Sequence, residues 1–491
     1  MEIKGKNNIC FKEWRRSKRI MKTLIINPVI RKEDKARLIP HGLGILANLI
    51  RRDLKITPYL YDINALRPTD RQVEHLIDDY HADVVMIGGI IPIYKDVIKL
   101  SSYIKDIYPE TIVAVGGSVA SSIPDILLEH SKVDVICMGE GEKTVINLLR
   151  DIKRRDINGI AYKNGGVIIN EPESLIQDLD KESMLPAYDL IEMEIYLNNQ
   201  AIGLGREIDF ISSRGCPYIC KFCFQPFGKH PRLHSAKFVI NAIKMLIKDY
   251  DIDFVTFLDD EFLINKQRVK DFCSEIKKLD KDILWSCNGR ANILAKDEDL
   301  MKKMKDSRCI SIAYGFESGS QKMLNEMGKK QTIEQMEKVT VLNRKYEMPI
   351  PVSFILGMPG ETKETAKETI DFCFRNNLPL DSLMFATPYP GTDIYNFAIE
   401  TGRIKDKVKF IESLKDARDF TVNLTDEFTD DEIINLRKSM MEDTRKNYEN
   451  YISNDEIKEK TKQLFGKLYE KSNIDEKDWE HRFKHGGISI F

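Results

Sequence analysis

The sequence lacks the features that would attach it to a membrane or to nucleic acid. No run of about 18 apolar residues occurs, so we expect no membrane span. No apolar h-region follows the basic N-terminal stretch, so residues 1–21 are interpreted as an N-terminal extension and not as a secretory signal. The formal net charge of -2 gives no bulk attraction to nucleic acid. A chain of 491 residues with these properties is expected to be a cytoplasmic globular protein of two or three domains.

A complete set of paired cysteines is also absent. The chain has nine cysteines, and an odd number argues against a disulfide framework. Six are scattered, several of them in apolar runs, as reduced core thiols are in a cytosolic protein: Cys10, Cys137, Cys273, Cys287, Cys309 and Cys373. The other three, Cys216, Cys220 and Cys223, form a C-x3-C-x2-C array. Four thiolates would close a zinc or iron–sulfur site, whereas three leave one metal position open. A zinc site would need a fourth ligand such as His230 or His234.

Strands and helices alternate over residues 22–151. The strands are near-continuous apolar runs: "TLIINPV", "PYLYDI", "DVVMIGG", "TIVAVGG" and "VDVICMG". This pattern predicts a parallel sheet that is buried on both faces, in a doubly wound, Rossmann-like α/β fold. Ligands of such a fold bind at the carboxyl ends of the strands, where Gly88 and Gly116 fall. Residues 152–205 are interpreted as a connector, in which an Asn-Gly pair predicts a hairpin turn.

A second alternating region covers residues 206–402 and contains six further strands. Six successive β/α units predict a partial (β/α)6 barrel, whose chemistry lies where the strands end. Polar residues and glycines follow these strand ends: Asp259-Asp260, Asn288–Arg290, Glu317-Ser318, Gly357–Glu361 and Pro388–Thr392. The cysteine array follows the first of the six strands, so we expect it in a loop at the functional end of the barrel. Residues 403–491 are charged and are predicted to be helical.

The C-x3-C-x-aromatic-C array after the first barrel strand resembles that of the radical S-adenosylmethionine (SAM) enzymes. The resemblance covers roughly residues 205–400. It implies that Cys216, Cys220 and Cys223 hold a [4Fe-4S] cluster whose open iron chelates the amino and carboxylate groups of SAM. One electron from a donor such as flavodoxin or ferredoxin would then cleave SAM and produce a 5′-deoxyadenosyl radical. The protein would aim the radical and exclude water.

The same resemblance implies roles for polar residues at the second and third strand ends. Asp259 and Asp260 occupy the place where the family contacts the SAM amino group. Arg290 can pair with the SAM carboxylate or with a substrate anion. A structural alternative is open for the acids, because a cluster of this kind also caps helix N-termini.

The fourth and fifth strand ends are assigned in the same way. Glu317 and Ser318 fall near the expected ribose, and Gly357 and Glu361 resemble the family's motif near the adenine. The structural alternatives are that Glu317 caps the following helix and that the glycines only make a turn. The residues after the sixth strand would either line the substrate opening or merely end that strand.

A doubly wound domain before such a barrel resembles the cobalamin-binding architecture of class B radical SAM enzymes. The matching positions are Pro40, His41, Gly42, Gly116, Gly117, Ser118, Gly139 and Glu140, and Gly88 joins them as a candidate from its place at a strand end. Many cobalamin proteins supply the lower cobalt ligand from a D-x-H-x-x-G histidine, which this chain lacks, because Val84 stands where the glycine after His81 is needed. The lower cobalt face would then meet water or apolar side chains, and His41 is interpreted as a surface or helix-capping residue.

Together these resemblances imply an oxygen-sensitive enzyme that uses cobalamin as methyl carrier to methylate an unactivated carbon. Its substrate would be a small molecule, a lipid or a peptide. One alternative is a radical SAM cyclase, rearrangement enzyme or sulfur-inserting enzyme whose N-terminal domain does not use cobalamin. Another is a non-enzymatic cobalamin sensor or iron–sulfur electron carrier, which should release no 5′-deoxyadenosine.

Overall fold

The computed structural model describes residues 21–199 and 205–471, which divide into two compact units. The first unit contains residues up to 177 together with 181–193, and the second contains 178–180 and the chain from 194 onwards. Nearly all of the expected N-terminal extension and the end of the expected C-terminal helical region lie outside the described residues. Within those residues, no helix is both long and apolar enough to cross a membrane.

Seven strands and seven α-helices are described in the first unit up to residue 177. The strands are β1 Thr23–Asn27, β2 Tyr59–Asp62, β3 Val84–Gly89, β4 Ile112–Gly117, β5 Val135–Cys137, β6 Ile160–Lys163 and β7 Val167–Ile169. The helices are α1 His41–Leu54, α2 Ile63–Leu66, α3 Asp70–Tyr80, α4 Tyr94–Ile107, α5 Ser118–Ser122, α6 Pro124–His130 and α7 Gly141–Arg150. Two short helices follow in the connector: α8 Leu179–Glu182 and α9 Met193–Asn198.

Eight strands and twelve α-helices are described in the second unit from residue 205 onwards. The strands are β8 Glu207–Phe210, β9 Ser213–Arg214, β10 Arg232–Leu233, β11 Phe254–Phe257, β12 Leu284–Gly289, β13 Cys309–Glu317, β14 Val352–Leu356 and β15 Leu383–Phe385. The helices are α10 Ala236–Tyr250, α11 Lys266–Ile276, α12 Ala291–Leu294, α13 Glu298–Asp306, α14 Gln321–Glu326, α15 Ile333–Lys345, α16 Lys363–Arg375, α17 Asp393–Glu400, α18 Lys407–Ser413, α19 Asp430–Tyr451, α20 Asn454–Phe465 and α21 Lys467–Lys471.

The sheet of the first unit has the strand order β2-β1-β3-β4-β5-β6-β7. Strands β1 to β5 run parallel in a doubly wound order, so the predicted Rossmann-like fold is confirmed. The predicted Asn-Gly hairpin forms strands β6 and β7, but it belongs to this sheet, since β6 pairs antiparallel with β5. The reason is burial: Ile160 and Ala161 of β6 are fully buried against the first unit's core.

The second unit contains a six-stranded sheet with the order β15-β14-β13-β12-β11-β8. All five pairings are parallel, which confirms the predicted partial barrel. In-register residues of parallel strands share a face. One face therefore carries a polar row of Asp209, Thr256 and Ser286. The next residues along the same strands, such as Phe257 and Cys287, lie on the opposite face and are buried, and Phe257 packs against Phe272 of α11.

Helix α19 and the segment before it cover the end of the sheet at β15. The hydroxyl of Thr444 accepts a hydrogen bond from the amide of Leu380 at 3.0 Å. Arg437 donates from Nε to the carbonyl oxygen of Leu383 at 2.7 Å. The amide of Phe385 donates to the carbonyl oxygen of Ala417 at 2.8 Å. These contacts satisfy polar backbone groups that an edge strand otherwise leaves unpaired.

A short connector segment, residues 178–180, belongs to the second unit although both of its flanks belong to the first. Asp180 accepts a hydrogen bond from the amide of Ser235, and its Oδ1 lies 2.8 Å from Nδ1 of His234. The His234 ring stacks on Phe238 with the ring centroids 3.9 Å apart, and burial lowers the pKa of this histidine. His234, a candidate fourth zinc ligand in the sequence, is thus engaged by a carboxylate.

Candidate active site

The loop that follows β8, residues 215–228, carries the three clustered thiols and is called the cysteine loop here. A buried carboxylate, Asp259, fixes the chain just before it. Asp259 accepts hydrogen bonds from the amide and hydroxyl of Ser212, both at 2.5 Å, and from the amide of Ser213 at 2.9 Å. Burial raises the pKa of Asp259. The structure thus gives Asp259 a supporting contact, and its contact with the SAM amino group stays a prediction.

The cysteine loop is closed on itself by its main chain. Gly215 has φ +85°, and a Cβ placed there would lie 2.9 Å from the carbonyl oxygens of both Gly228 and His230. Only glycine fits this left-handed and crowded position. The amide of Cys216 donates to the carbonyl oxygen of Gly228 at 3.3 Å, which brings the two ends of the loop together.

The three thiols lie along this loop with graded exposure. Cys216 and Cys220 are half-buried and Cys223 is exposed. Burial raises the pKa of the Cys216 thiol, Asp260 raises it further, and Arg290 opposes the rise. Metal ligands must be deprotonated, so iron binding here would release protons. Within the described residues, no three His, Cys, Asp or Glu side chains converge on one point as they would around a single metal ion.

Arg290, predicted at the third strand end, faces the cysteine loop. Its guanidinium lies 3.7 Å from the centroid of the Tyr218 ring, a close cation–π contact. Its Nη1 is 3.6 Å from Sγ of Cys220, and its Nε donates to Asn292 at 3.3 Å. Nη2 is buried and has no hydrogen-bond partner in the described part of the chain. A buried N–H of this kind fits an anionic ligand, such as a carboxylate.

The neighbouring acids Asp260 and Glu261 are placed differently. Asp260 is exposed and accepts a hydrogen bond from the amide of Gly215, at the start of the cysteine loop. Glu261 is buried and accepts from the amide of Leu263 at 3.0 Å. Burial raises the pKa of Glu261 to about 7. The exposed acid beside the loop, Asp260, is therefore better placed to meet an ammonium group than Asp259.

Glu317 lies at the end of β13 in the left-handed region, with φ +64°. Its Oε1 accepts from Nζ of Lys329 at 2.7 Å, and both side chains are about 8% exposed. Lys329 carries no strand-end signal in the sequence, because it follows helix α14 and not a strand. Its only signal is a lysine after a Met-Gly pair, which is not specific.

Ser318 and Glu361 turn inward and hold the backbone of their own turns. The Ser318 hydroxyl accepts from the amide of Ser320 at 3.1 Å and lies 3.2 Å from the Thr369 hydroxyl. Glu361 accepts from the amide of Gly357 at 2.6 Å, where φ is +91°. Burial raises the pKa of Glu361 to about 7. These are the contacts of the turn-forming alternative, and the expected contacts with SAM stay predictions.

The predicted glycines of the first unit lie at the carboxyl edge of its sheet, with very different space around them. A Cβ on Gly42 or Gly139 would meet no atom within 4 Å. A Cβ on Gly88 would lie 2.6 Å from Cδ2 of Leu43, and one on Gly117, where φ is +88°, would lie 2.4 Å from a carbonyl oxygen of β3. The open positions let a flat ligand approach the backbone, whereas the crowded ones shape the edge itself.

The remaining predicted residues of this edge have mixed surroundings. Pro40 precedes α1, and His41, its first residue, is buried and engaged within the fold, so its interpretation as a surface residue is wrong. Glu140 is buried, and its Oε2 accepts from the amide of Ile176 at 2.7 Å. Gly116 has ordinary contacts, and Ser118 begins α5 with its side chain half-buried. Hence the backbone of this edge, more than its side chains, is available to a ligand.

Two family models match the chain. Residues 29–149 match the B12 binding domain and residues 210–373 match the radical SAM superfamily. The chain is 32% identical over 396 residues to an uncharacterized methyltransferase of Pyrococcus horikoshii, with 78% of this chain and 84% of that protein covered. It is 29% identical over 339 residues to the anaerobic magnesium-protoporphyrin IX monomethyl ester cyclase of Rubrivivax gelatinosus, where it spans 67% of this chain and 60% of that protein.

Solved structures share the fold. The cobalamin-dependent SAM radical enzyme OxsB with aqua-cobalamin bound superposes with a TM-score of 0.64 at 22% identity, over 79% of this chain and 57% of that one. The radical SAM methyltransferase TsrM from Kitasatospora setae gives a TM-score of 0.65 at 17% identity, over 78% and 77% of the two chains. At these identities the likeness establishes the fold alone.

Proposed function

This chain belongs to the radical SAM enzymes that carry a B12-binding domain, and from that membership we propose that it methylates an unactivated carbon of a small molecule. Its cofactors are a [4Fe-4S] cluster, SAM and cobalamin. When bound, these groups supply reductive cleavage of SAM and a transferable methyl group. An electron donor such as flavodoxin or ferredoxin and a cytoplasmic location complete the proposal.

One observation carries the proposal: three thiols share a loop at the carboxyl end of β8, beside a buried arginine with a free N–H. Cys216, Cys220 and Cys223 would hold the cluster. The free Nη2 of Arg290 suits the SAM carboxylate, since a buried donor gains most from a charged partner. Asp260, exposed at the start of the loop, suits the SAM amino group.

The first unit supports cobalamin binding through its backbone. Gly42 and Gly139 offer open space at the carboxyl edge of a doubly wound sheet, where such folds bind their ligands. No D-x-H-x-x-G histidine is available to ligate cobalt, and His41 is buried within the fold. We therefore propose that the protein supplies no histidine to the lower cobalt face.

Product stoichiometry tests the reaction type. The anaerobically reconstituted protein is supplied with reductant, cobalamin, SAM and extract of a host that lacks the gene. Methylation should release S-adenosylhomocysteine and 5′-deoxyadenosine in about equal amounts, since one SAM donates the methyl group and a second is cleaved. Reconstituted Cys220→Ala protein should release no 5′-deoxyadenosine.

A radical SAM cyclase is the second candidate, because a relative of 29% identity bears that name. A cyclase should release 5′-deoxyadenosine without S-adenosylhomocysteine. A sensor or electron carrier should release neither. Either of these results would contradict the proposed methylation.

A further inference from the structure

We propose that residues 327–329, which follow helix α14 and are called the latch here, position the cysteine loop and couple it to the end of β13. The proposal rests on the cluster-binding role of the loop and needs no methyl transfer. It concerns main-chain contacts and a buried ion pair that lie within the second unit. No cysteine motif or strand-end pattern points to these residues.

The first contact is a main-chain hydrogen bond. The amide of Lys221 donates to the carbonyl oxygen of Met327 at 3.0 Å. Lys221 lies between Cys220 and Cys223, so this bond holds the part of the loop that carries two of the three thiols. Met327 is fully buried, and its own amide donates to the carbonyl oxygen of Met323 in α14 at 2.9 Å. The loop is therefore anchored to the buried end of helix α14.

The second contact is a close approach of backbone to backbone. Gly328 has φ +69°, and a Cβ placed there would lie 2.9 Å from the carbonyl oxygen of Ile219, which precedes Cys220. Cβ atoms almost never lie this close to another heavy atom. The neighbour here is a main-chain oxygen, which cannot rotate away as the end of a flexible side chain can. Any other residue at 328 would therefore push the cysteine loop away from the latch.

The third contact links the latch to β13. Nζ of Lys329 lies 2.7 Å from Oε1 of Glu317, and this pair is buried. A Cβ on Gly315 would lie 2.3 Å from that oxygen and 2.8 Å from Nζ, so the pair fills the space above a glycine of the strand. Removing one partner of a buried ion pair leaves an uncompensated charge, so loss of the Lys329 ammonium should disturb Glu317.

These contacts give the latch a positioning role. Its main chain fixes the spacing of the cysteine loop through Lys221 and Ile219. Its lysine fixes Glu317, the acid at the strand end expected near the SAM ribose. A displacement of the latch would therefore move the cluster ligands and the SAM-side acid together.

Two alanine variants separate the loop contact from backbone strain. Gly328→Ala adds a Cβ at φ +69° against the loop, whereas Gly402→Ala adds one at φ +70° with no atom within 4 Å. Both proteins are reconstituted anaerobically, and iron and sulfide per chain are measured, together with retention of iron during titration with a chelator. Supporting groups around a metal site typically contribute about 10–100-fold to metal affinity. We expect the iron affinity of Gly328→Ala to fall by a factor in this range and that of Gly402→Ala to equal the wild-type value.

Circular dichroism of the iron-free proteins checks that both variants fold. Wild-type iron retention in both variants overturns the proposal. An equal loss of iron in both variants also overturns it, because backbone strain alone would then explain the loss. A second pair, Lys329→Met and the adjacent exposed Lys330→Met, keeps the proposal testable if Gly328→Ala does not fold. The coupling to Glu317 is supported if Lys329→Met, but not Lys330→Met, binds SAM more weakly and shows a changed electron paramagnetic resonance spectrum in the presence of SAM. Identical spectra of the two variants overturn it.

Discussion

At the scale of single residues, Arg290 shows how much of a site depends on one side chain. The sequence predicted its position at a strand end, since polar residues there are easy to identify. Its stacking on Tyr218 could not be predicted, because the two residues are 72 positions apart and meet only when the loop folds back. Lys329 follows a helix and so carries no strand-end signal, and its pairing with Glu317 is visible only in three dimensions.

Replacing Arg290 should weaken SAM binding. A hydrogen bond to a charged group contributes roughly 1.5–3 kcal/mol, so Arg290→Met should raise the dissociation constant for SAM by about 10–100-fold. Binding is measured on reconstituted protein by equilibrium dialysis, with matched iron content. Arg375→Met, at an exposed arginine, is the control and should bind SAM normally. Unchanged affinity in Arg290→Met would contradict the assignment.

The raised pKa of the Glu361 carboxyl group predicts a pH dependence of the free energy of unfolding. Its folded pKa of about 7 lies above its ordinary value of 4.5, so the folded state binds the proton more tightly. The stability gained from this group is complete below about pH 4.5 and is lost as the pH rises through about 7. Between pH 5 and pH 8, wild type should therefore lose up to about 3 kcal/mol of unfolding free energy relative to Glu361→Gln. Urea unfolding at several pH values measures the difference, and parallel profiles would contradict it.

At the scale of elements, the sequence predicted the helices and parallel strands well because period and caps are local signals. A capping box of Thr69 and Gln72, which is a local signal of this kind, marks the start of α3 in the structure. The pairing of β6 with β5 was not predictable in this way. An Asn-Gly hairpin indicates its own turn but not the strand that it will join, which is decided by burial of residues such as Ile160.

The glycine edge of the first sheet gives an element-scale prediction. Gly117→Ala would place a Cβ 2.4 Å from a carbonyl oxygen of β3, while Gly139→Ala meets nothing within 4 Å, and both have positive φ. We expect Gly117→Ala to lower the free energy of unfolding by about 1–3 kcal/mol more than Gly139→Ala does. We also expect Gly117→Ala to lose cobalamin binding. Thermal unfolding and absorbance of bound cobalamin measure the two effects. Equal stability of the two variants would falsify the close approach.

At the scale of the whole molecule, the cysteines predicted to hold the cluster and the glycines predicted to bind cobalamin lie in separate compact units. The Cys216→Ala, Cys220→Ala and Cys223→Ala triple variant should therefore lose its iron and still bind cobalamin. Metal analysis and the cobalamin absorbance of the same sample check both parts. Loss of cobalamin along with the iron would mean that the units do not bind their groups independently.

The Asp180–His234 contact has a practical consequence for anyone who dissects the gene. The polypeptide enters the second unit at 178, leaves it after 180 and returns at 194, so one cut cannot give two intact fragments. A fragment starting at 194 would deprive His234 of the carboxylate 2.8 Å from its Nδ1. Expressing the barrel alone therefore requires fusing residues 178–180 to that fragment, or co-expressing both pieces.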